Sequence, residues 1–247
     1  MLKNSGARSL IFSWVERTWP FWERTSNLNA RSRAIPFILL LIMPELVVAA
    51  FGTPWQWGGP RWERIPTITV VSREDDPRLP AVREAVEYWN RTFAGLRTPF
   101  HLGTITRADG TVPDEVLRDL SESTISGTWT RRHAQSFAPF AGDLIVVLSD
   151  AEFVSFTSRI GDRMLVAIKN GSSPPLNLAN VLPNVIAHEI GHALGLQHNA
   201  DPTTLMCGRP ASCRPVAFIS DEPRMFPLTG ADVARLRELY PANWHAH

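Results

Sequence analysis

Residues His188 to His198 read HEIGHALGLQH, a set of residue types and spacings that suits a transition-metal site. His188 and His192 lie four apart, so on a helix both imidazoles leave one face about one turn apart and can grip one ion. Glu189 follows the first of them and can reach a water held by that ion. Gly195, three residues after His192, can take the positive φ that ends a helix, which turns the chain and returns His198 to the same ion. Three neutral imidazoles leave one tetrahedral position open, the composition of a catalytic centre holding one Zn2+ rather than of a closed structural site. The chemistry it allows is hydrolysis by a zinc-activated water with Glu189 as general base.

These residues need a helix, and the preceding sequence supplies one. Asn180 is placed to cap it, Pro183 falls in the first turn where no N–H partner is lost, and Val181, Val185, Ala193 and Leu194 can bury the side away from the metal. Upstream, Thr67 to Val71 (TITVV) is β-branched and alternating, hence a strand. Asp76-Pro77 then supplies a cap for a helix over Arg78 to Phe93, with Val82, Val86, Trp89 and Phe93 on its buried face. Residues 99 to 106 read as a second strand and Pro113 to Leu120 as a short helix. Asp143 to Leu148 (DLIVVL) is a continuous apolar run suited to an interior strand, and Arg163 to Lys169 is another strand.

HEIGHALGLQH resembles the metzincin pattern HExxHxxGxxH. GHALGL, with Leu205-Met206 eight residues beyond His198, resembles the matrixin branch of those zinc metallopeptidases. The resemblance extends over roughly residues 60 to 241: PRW at Pro60 to Trp62, a first helix carrying Trp89, DLIVVL as the third strand, and LTGADVARLRELYP as a terminal helix. It implies an α+β, zincin-like fold: a twisted mixed sheet with an active-site helix, a Met-turn and a C-terminal helix. It also implies that Met206 forms an apolar floor beneath the zinc, and that a protein or peptide substrate lies extended along the strand near Met164 to Ile168. The segment from Pro215 to Pro227 resembles the wall of the pocket beyond the scissile bond. Its Val216, Phe218 and Ile219 are suited to a hydrophobic substrate residue and equally to core packing.

The chain departs from the family at three points. Asn199 follows the third histidine, where metzincin branches carry Ser, Asp, Glu or Pro. The Asp, Gly and His-rich segment that binds further metal ions in many matrixins has no counterpart between 143 and 178, and His101 and His133 read as surface or satisfied polar residues. No cysteine precedes position 207, so the thiol that occludes zinc in many matrixin proenzymes is missing. Cys207 and Cys213 are the two cysteines of the chain. They read as a disulfide closing a small loop, worth about 2 kcal/mol if unstrained; the alternative, Cys207 as a fourth zinc ligand, would fill the position that catalysis needs open. Arg131 and Arg132 read as a solvated loop or as substrate contacts.

The remaining sequence bounds the setting of this site. With 247 residues and 44% apolar content the chain can bury one sizeable core. A formal net charge of +1 gives no whole-chain argument for nucleic acid. Residues 1 to 34 hold six basic and two acidic residues, leaving 19 basic against 22 acidic in the rest. This basic leader precedes the apolar stretch 35 to 51, whose polarity keeps the leader cytoplasmic and sends the body across. Pro44 and Glu45 shorten that stretch, so it reads as the h- and c-region of a signal peptide, as a signal anchor, or as a buried core helix; an overextended gene start is the bland account of the leader. Residues 1 to 51 could therefore associate with a membrane. Residues 52 to 66 read as a linker and 67 to 247 as the catalytic domain, secreted, periplasmic or anchored outside the cytoplasm. The function expected is a zinc endopeptidase. The rivals are a proteolytically silent zinc-binding interaction module and a metallohydrolase of cell-wall peptide or another non-protein substrate. Oligomeric state is not legible.

Overall fold

The structure is a computed structural model that describes residues 61–127, 133–172, 175–208 and 224–246. Five strands form one sheet: β1 (Ile68–Val71), β2 (Ile105–Ala108), β3 (Leu144–Leu148), β4 (Phe156–Ile160) and β5 (Arg163–Ile168), in the order β2-β1-β3-β5-β4. All neighbours run parallel except β4, which pairs antiparallel with β5. Those two strands are joined through Gly161, whose φ of 64° suits the tight turn of a hairpin. β4 is an edge strand. The helices are α1 (Leu79–Leu96), α2 (Asp114–Ser126), α3 (Leu182–Ala193) and α4 (Gly230–Leu239), with a short 3-10 turn at Ala134–Phe137.

The continuous apolar runs of β1, β3 and β5 are explained by burial on both faces. Ile68, Val70, Leu144, Val146, Leu148, Met164, Val166 and Ile168 alternate toward a core shared with Trp89 and Phe93 of α1 and Ile186 and Ile190 of α3. Val71, Ile145, Val147, Leu165 and Ala167 face the other way, toward Val116, Leu117 and Leu120 of α2 and toward Phe137. The period of two thus sorts the sheet into a side that carries α1 and α3 and a side that carries α2.

Three local expectations need correction. β4 (FTSRI) has a mixed composition with no clear apolar period, and no strand is expected there from its residues. Asp76 does not cap α1 through its first turn: the helix begins at Leu79, and the Asp76 carboxylate instead accepts from the Arg78 N–H and grips the Arg78 guanidinium at 2.9 and 2.7 Å. That guanidinium is buried and also donates to the carbonyls of Ser149 at 2.6 Å and Lys169 at 3.1 Å, tying the start of α1 to the ends of β3 and β5. Third, the strand meant to take substrate, near Met164 to Ile168, is β5, which is paired on both sides by β3 and β4. It has no open rim to offer. The leader, the stretch 35 to 51 and the linker up to residue 60 lie outside the described residues; among those described, no helix is long and apolar enough to cross a membrane.

Candidate metal centre

α3 starts with Val181 as its N-cap and Pro183 in its first turn. Asn180 is not the cap, because its Oδ1 accepts from the Arg224 N–H at 2.6 Å. Asn184, also buried, donates to the Asn180 and Arg224 carbonyls and accepts from the Phe226 N–H. Two asparagines therefore fasten the first turns of α3 to the segment that leads into α4. At the far end, the Gly195 N–H bonds to the His192 carbonyl and the Leu196 N–H to the Gly191 carbonyl, both at 3.0 Å, around Gly195 at φ 94°. This is the Schellman closure of a helix. The next two carbonyls take partners from distant residues: Trp62 Nε1 donates to Ala193 at 2.9 Å and the Tyr240 hydroxyl to Leu194 at 3.1 Å.

The turn after Gly195 brings His198 back to His188 and His192. Their Nε2 atoms form a triangle with sides of 3.2, 3.1 and 3.0 Å. His188 Nδ1 donates to the Leu205 carbonyl at 2.7 Å and His192 Nδ1 to the Leu196 carbonyl at 2.9 Å. A carbonyl can only accept, so each Nδ1 carries the proton and each Nε2 turns a lone pair to the common centre, the tautomer a metal ligand requires. Zinc–nitrogen bonds of about 2.0–2.1 Å at tetrahedral angles set ligand nitrogens about 3.3 Å apart. The triangle is within a few tenths of an ångström of that spacing. Donor type, tautomer and size all fit zinc, and these three are the group of ligating side chains able to hold a metal ion among the described residues.

Glu189 points from the same turn of α3 and is buried. Burial pushes its carboxyl up to about 7, with a hydrogen bond from Thr157 pulling the other way. The Thr157 hydroxyl lies 2.9 Å from Glu189 Oε2 and 2.6 Å from the Glu189 carbonyl. Thr157 belongs to β4, so the edge of the sheet reaches the carboxylate directly. No sequence signal marked this threonine.

Met206 is fully buried against α3. A Cβ built on Gly191 would stand 2.6 Å from Met206 Sδ and 3.0 Å from Trp89 Cζ2, so the glycine between the two helical histidines is what lets the methionine approach. Gly208 plays a similar part for His198, whose ring would collide with any side chain there. Asn199 joins these pieces. Its N–H bonds to the Met206 carbonyl, its carbonyl accepts from the Gly208 N–H, its Oδ1 accepts from Thr204, and its Nδ2 donates to Asp232 at the start of α4. His133 pairs with Asp119 at 3.4 Å and His101 is exposed, and neither approaches the centre. Cys207 is not a free thiol. Cys213, Arg131, Arg132 and the expected pocket wall with Val216, Phe218 and Ile219 lie outside the described residues.

The chain is similar to several known proteins. Human (Homo sapiens) matrix metalloproteinase-27 is 39% identical over 56 residues, which are 23% of this chain and 9% of that protein. The chain therefore spans only a small part of that relative's length. Among solved structures, archaemetzincin from Methanopyrus kandleri is similar with a TM-score of 0.42 and 16% identity, covering 73% of this chain and 97% of that one. Metalloproteinase-II from Bacteroides fragilis gives a TM-score of 0.41 and 15% identity, with 73% and 54% covered. Residues 114–241 match the sequence model of the matrixin family, a match that runs from α2 through β3, β4 and β5, the histidine triangle and Met206 to the end of α4, and the chain belongs to that family of zinc-dependent metallopeptidases.

Proposed function

We propose that this protein is an endopeptidase in which His188, His192 and His198 hold one zinc ion and Glu189 is the general base. The observation that carries the reading is the convergence of three imidazole Nε2 atoms within 3.2 Å beside a buried carboxylate, on a helix whose neighbour is an open sheet edge. Zinc, when bound, supplies Lewis-acid chemistry, making water a competent nucleophile at neutral pH and polarising the scissile carbonyl. Glu189 takes the proton from the attacking water and gives it to the leaving amine, so no covalent acyl-enzyme is needed. Peptide substrate pairs with the open rim of β4, gaining main-chain hydrogen bonds as an added strand. Met206 supplies an apolar floor, and Val216, Phe218 and Ile219 favour a hydrophobic residue after the scissile bond.

Glu189→Ala will lower cleavage of a quenched fluorescent peptide at least about a hundredfold, the scale of general-base catalysis, while keeping one zinc per chain. His188→Ala will lose the metal along with the activity. Near-wild-type turnover in Glu189→Ala would remove Glu189 as the base, and a zinc-loaded wild type that cleaves neither peptide nor denatured protein would replace this reading by that of a binding module. The reading also sets the domain outside the cytoplasm, supported by the basic leader before the apolar run and by a cysteine that is not a free thiol. Disulfides persist in oxidising compartments. Mass spectrometry of protein from its native compartment will find Cys207 joined to Cys213, and two free thiols would oppose it.

A further inference from the structure

We propose that Thr157 is the positioning residue for the Glu189 carboxylate, linking the strand that takes the substrate to the base that acts on it. This rests on the reading of Glu189 as general base. Among the described residues, the Thr157 hydroxyl is the hydrogen-bond partner of that buried carboxylate. It lies on β4, the edge strand, and its side chain faces α3 while Phe156 and Ile160 enter the opposite core.

The geometry fits the task in two respects. A bond at 2.9 Å to Oε2 fixes the rotation of the carboxylate and leaves Oε1 for the attacking water. The same oxygen stands 2.6 Å from the Glu189 carbonyl, so the hydroxyl has a second acceptor. While Glu189 is a carboxylate, Thr157 donates to it. Oε2 accepts this bond whether or not Oε1 has taken the water's proton, so the hold on the side chain is the same on both sides of the transfer. The hydroxyl donates one hydrogen, and both of its acceptors belong to Glu189. β-Branching holds it in few rotamers on a strand, and since β4 carries it, a peptide added along that rim sets strand and base together.

The test compares Thr157→Val, which keeps shape and branching without the hydroxyl, with Thr157→Ser, which keeps the hydroxyl. Thr157→Val will lower kcat about tenfold to a hundredfold, the range for a lost hydrogen bond to a charged group. KM will stay within about twofold, zinc content and melting temperature will stay near wild type, and Thr157→Ser will recover most of the loss. The difference infrared spectrum between wild type and Glu189→Gln isolates the Glu189 carboxylate bands. Thr157→Val will shift these bands and Thr157→Ser will not. A Thr157→Val enzyme with kcat within about twofold of wild type, a rise in KM alone, or a loss that follows zinc content would overturn the proposal, as would unmoved carboxylate bands. If wild type cleaves nothing, the functional reading fails, yet the infrared comparison still decides whether Thr157 holds Glu189.

Discussion

Each histidine of the candidate metal centre is held by a group outside the cluster. The Leu205 and Leu196 carbonyls orient two imidazoles, and bare glycines admit the groups that pack behind them. This gives helix glycines opposite signs on mutation. Gly191→Ala places a methyl against Met206 and the rigid Trp89 ring in a region with no free space, so overpacking will destabilise by about 1–3 kcal/mol. Gly95, near the end of α1, has nothing within 4 Å of an added Cβ. Gly95→Ala there will stabilise by about 0.4–1 kcal/mol, chiefly by restricting the unfolded chain. Chemical denaturation of the two variants checks the contrast. The histidine cluster was legible in the sequence because its spacing is local: four residues along a helix, then a glycine, then a turn. Thr157 was not, because it stands 32 residues from Glu189 and only strand pairing brings them together. Asn199 stood out as a departure from the family pattern, and its bonds to Met206, Thr204, Gly208 and Asp232 give that departure a physical role.

At the scale of elements, α3 is closed by its own Schellman turn and then by Trp62 and Tyr240 on the carbonyls of Ala193 and Leu194. Tyr240 also accepts from the Trp62 N–H at 3.4 Å. Trp62→Phe and Tyr240→Phe will each cost about 1 kcal/mol, the net value of a hydrogen bond. The double variant will depart from additivity by about 0.5 kcal/mol or more, since both act on one helix end. Urea titration of the four proteins measures that coupling. The helices and the interior strands were legible from periodicity and apolar runs. The substrate edge was misjudged because β5 has the apolar composition of a strand, while its position between β3 and β4 is a property of pairing that composition does not encode. The asparagine expected to cap α3 was drawn instead to Arg224, a tertiary partner, and the aspartate expected to cap α1 to its near neighbour Arg78, whose guanidinium is itself held by carbonyls at the ends of β3 and β5.

Across the whole molecule, the Asp76–Arg78 pair joins α1 to both central strands from within the fold. Burial would raise the Asp76 carboxyl, but hydrogen bonds and charge from Arg78 overcome it and hold the group below its usual range. A carboxyl with a depressed native pKa adds stability above its unfolded value near 3.9, and that stability is lost as pH falls through the native value. Asp76→Asn will therefore cost about 3 kcal/mol near pH 7, the lower end for breaking a buried pair, because Arg78 keeps its carbonyl partners. The gap to wild type will narrow below about pH 4; urea melts of both proteins from pH 7 to pH 3 give the difference, in which histidines common to both cancel. The latch on α3 spans the molecule in another sense. Trp62 lies 131 residues from Ala193, Tyr240 lies 46 residues from Leu194, and Trp244 returns to the Trp62 carbonyl across 182 residues. Ribosomes add about 5–20 residues per second, so the helix bearing the histidines is made roughly two to nine seconds before Tyr240. During that interval the nascent chain gains the third histidine, His198, and then holds all three before the hydroxyl that finishes the helix exists.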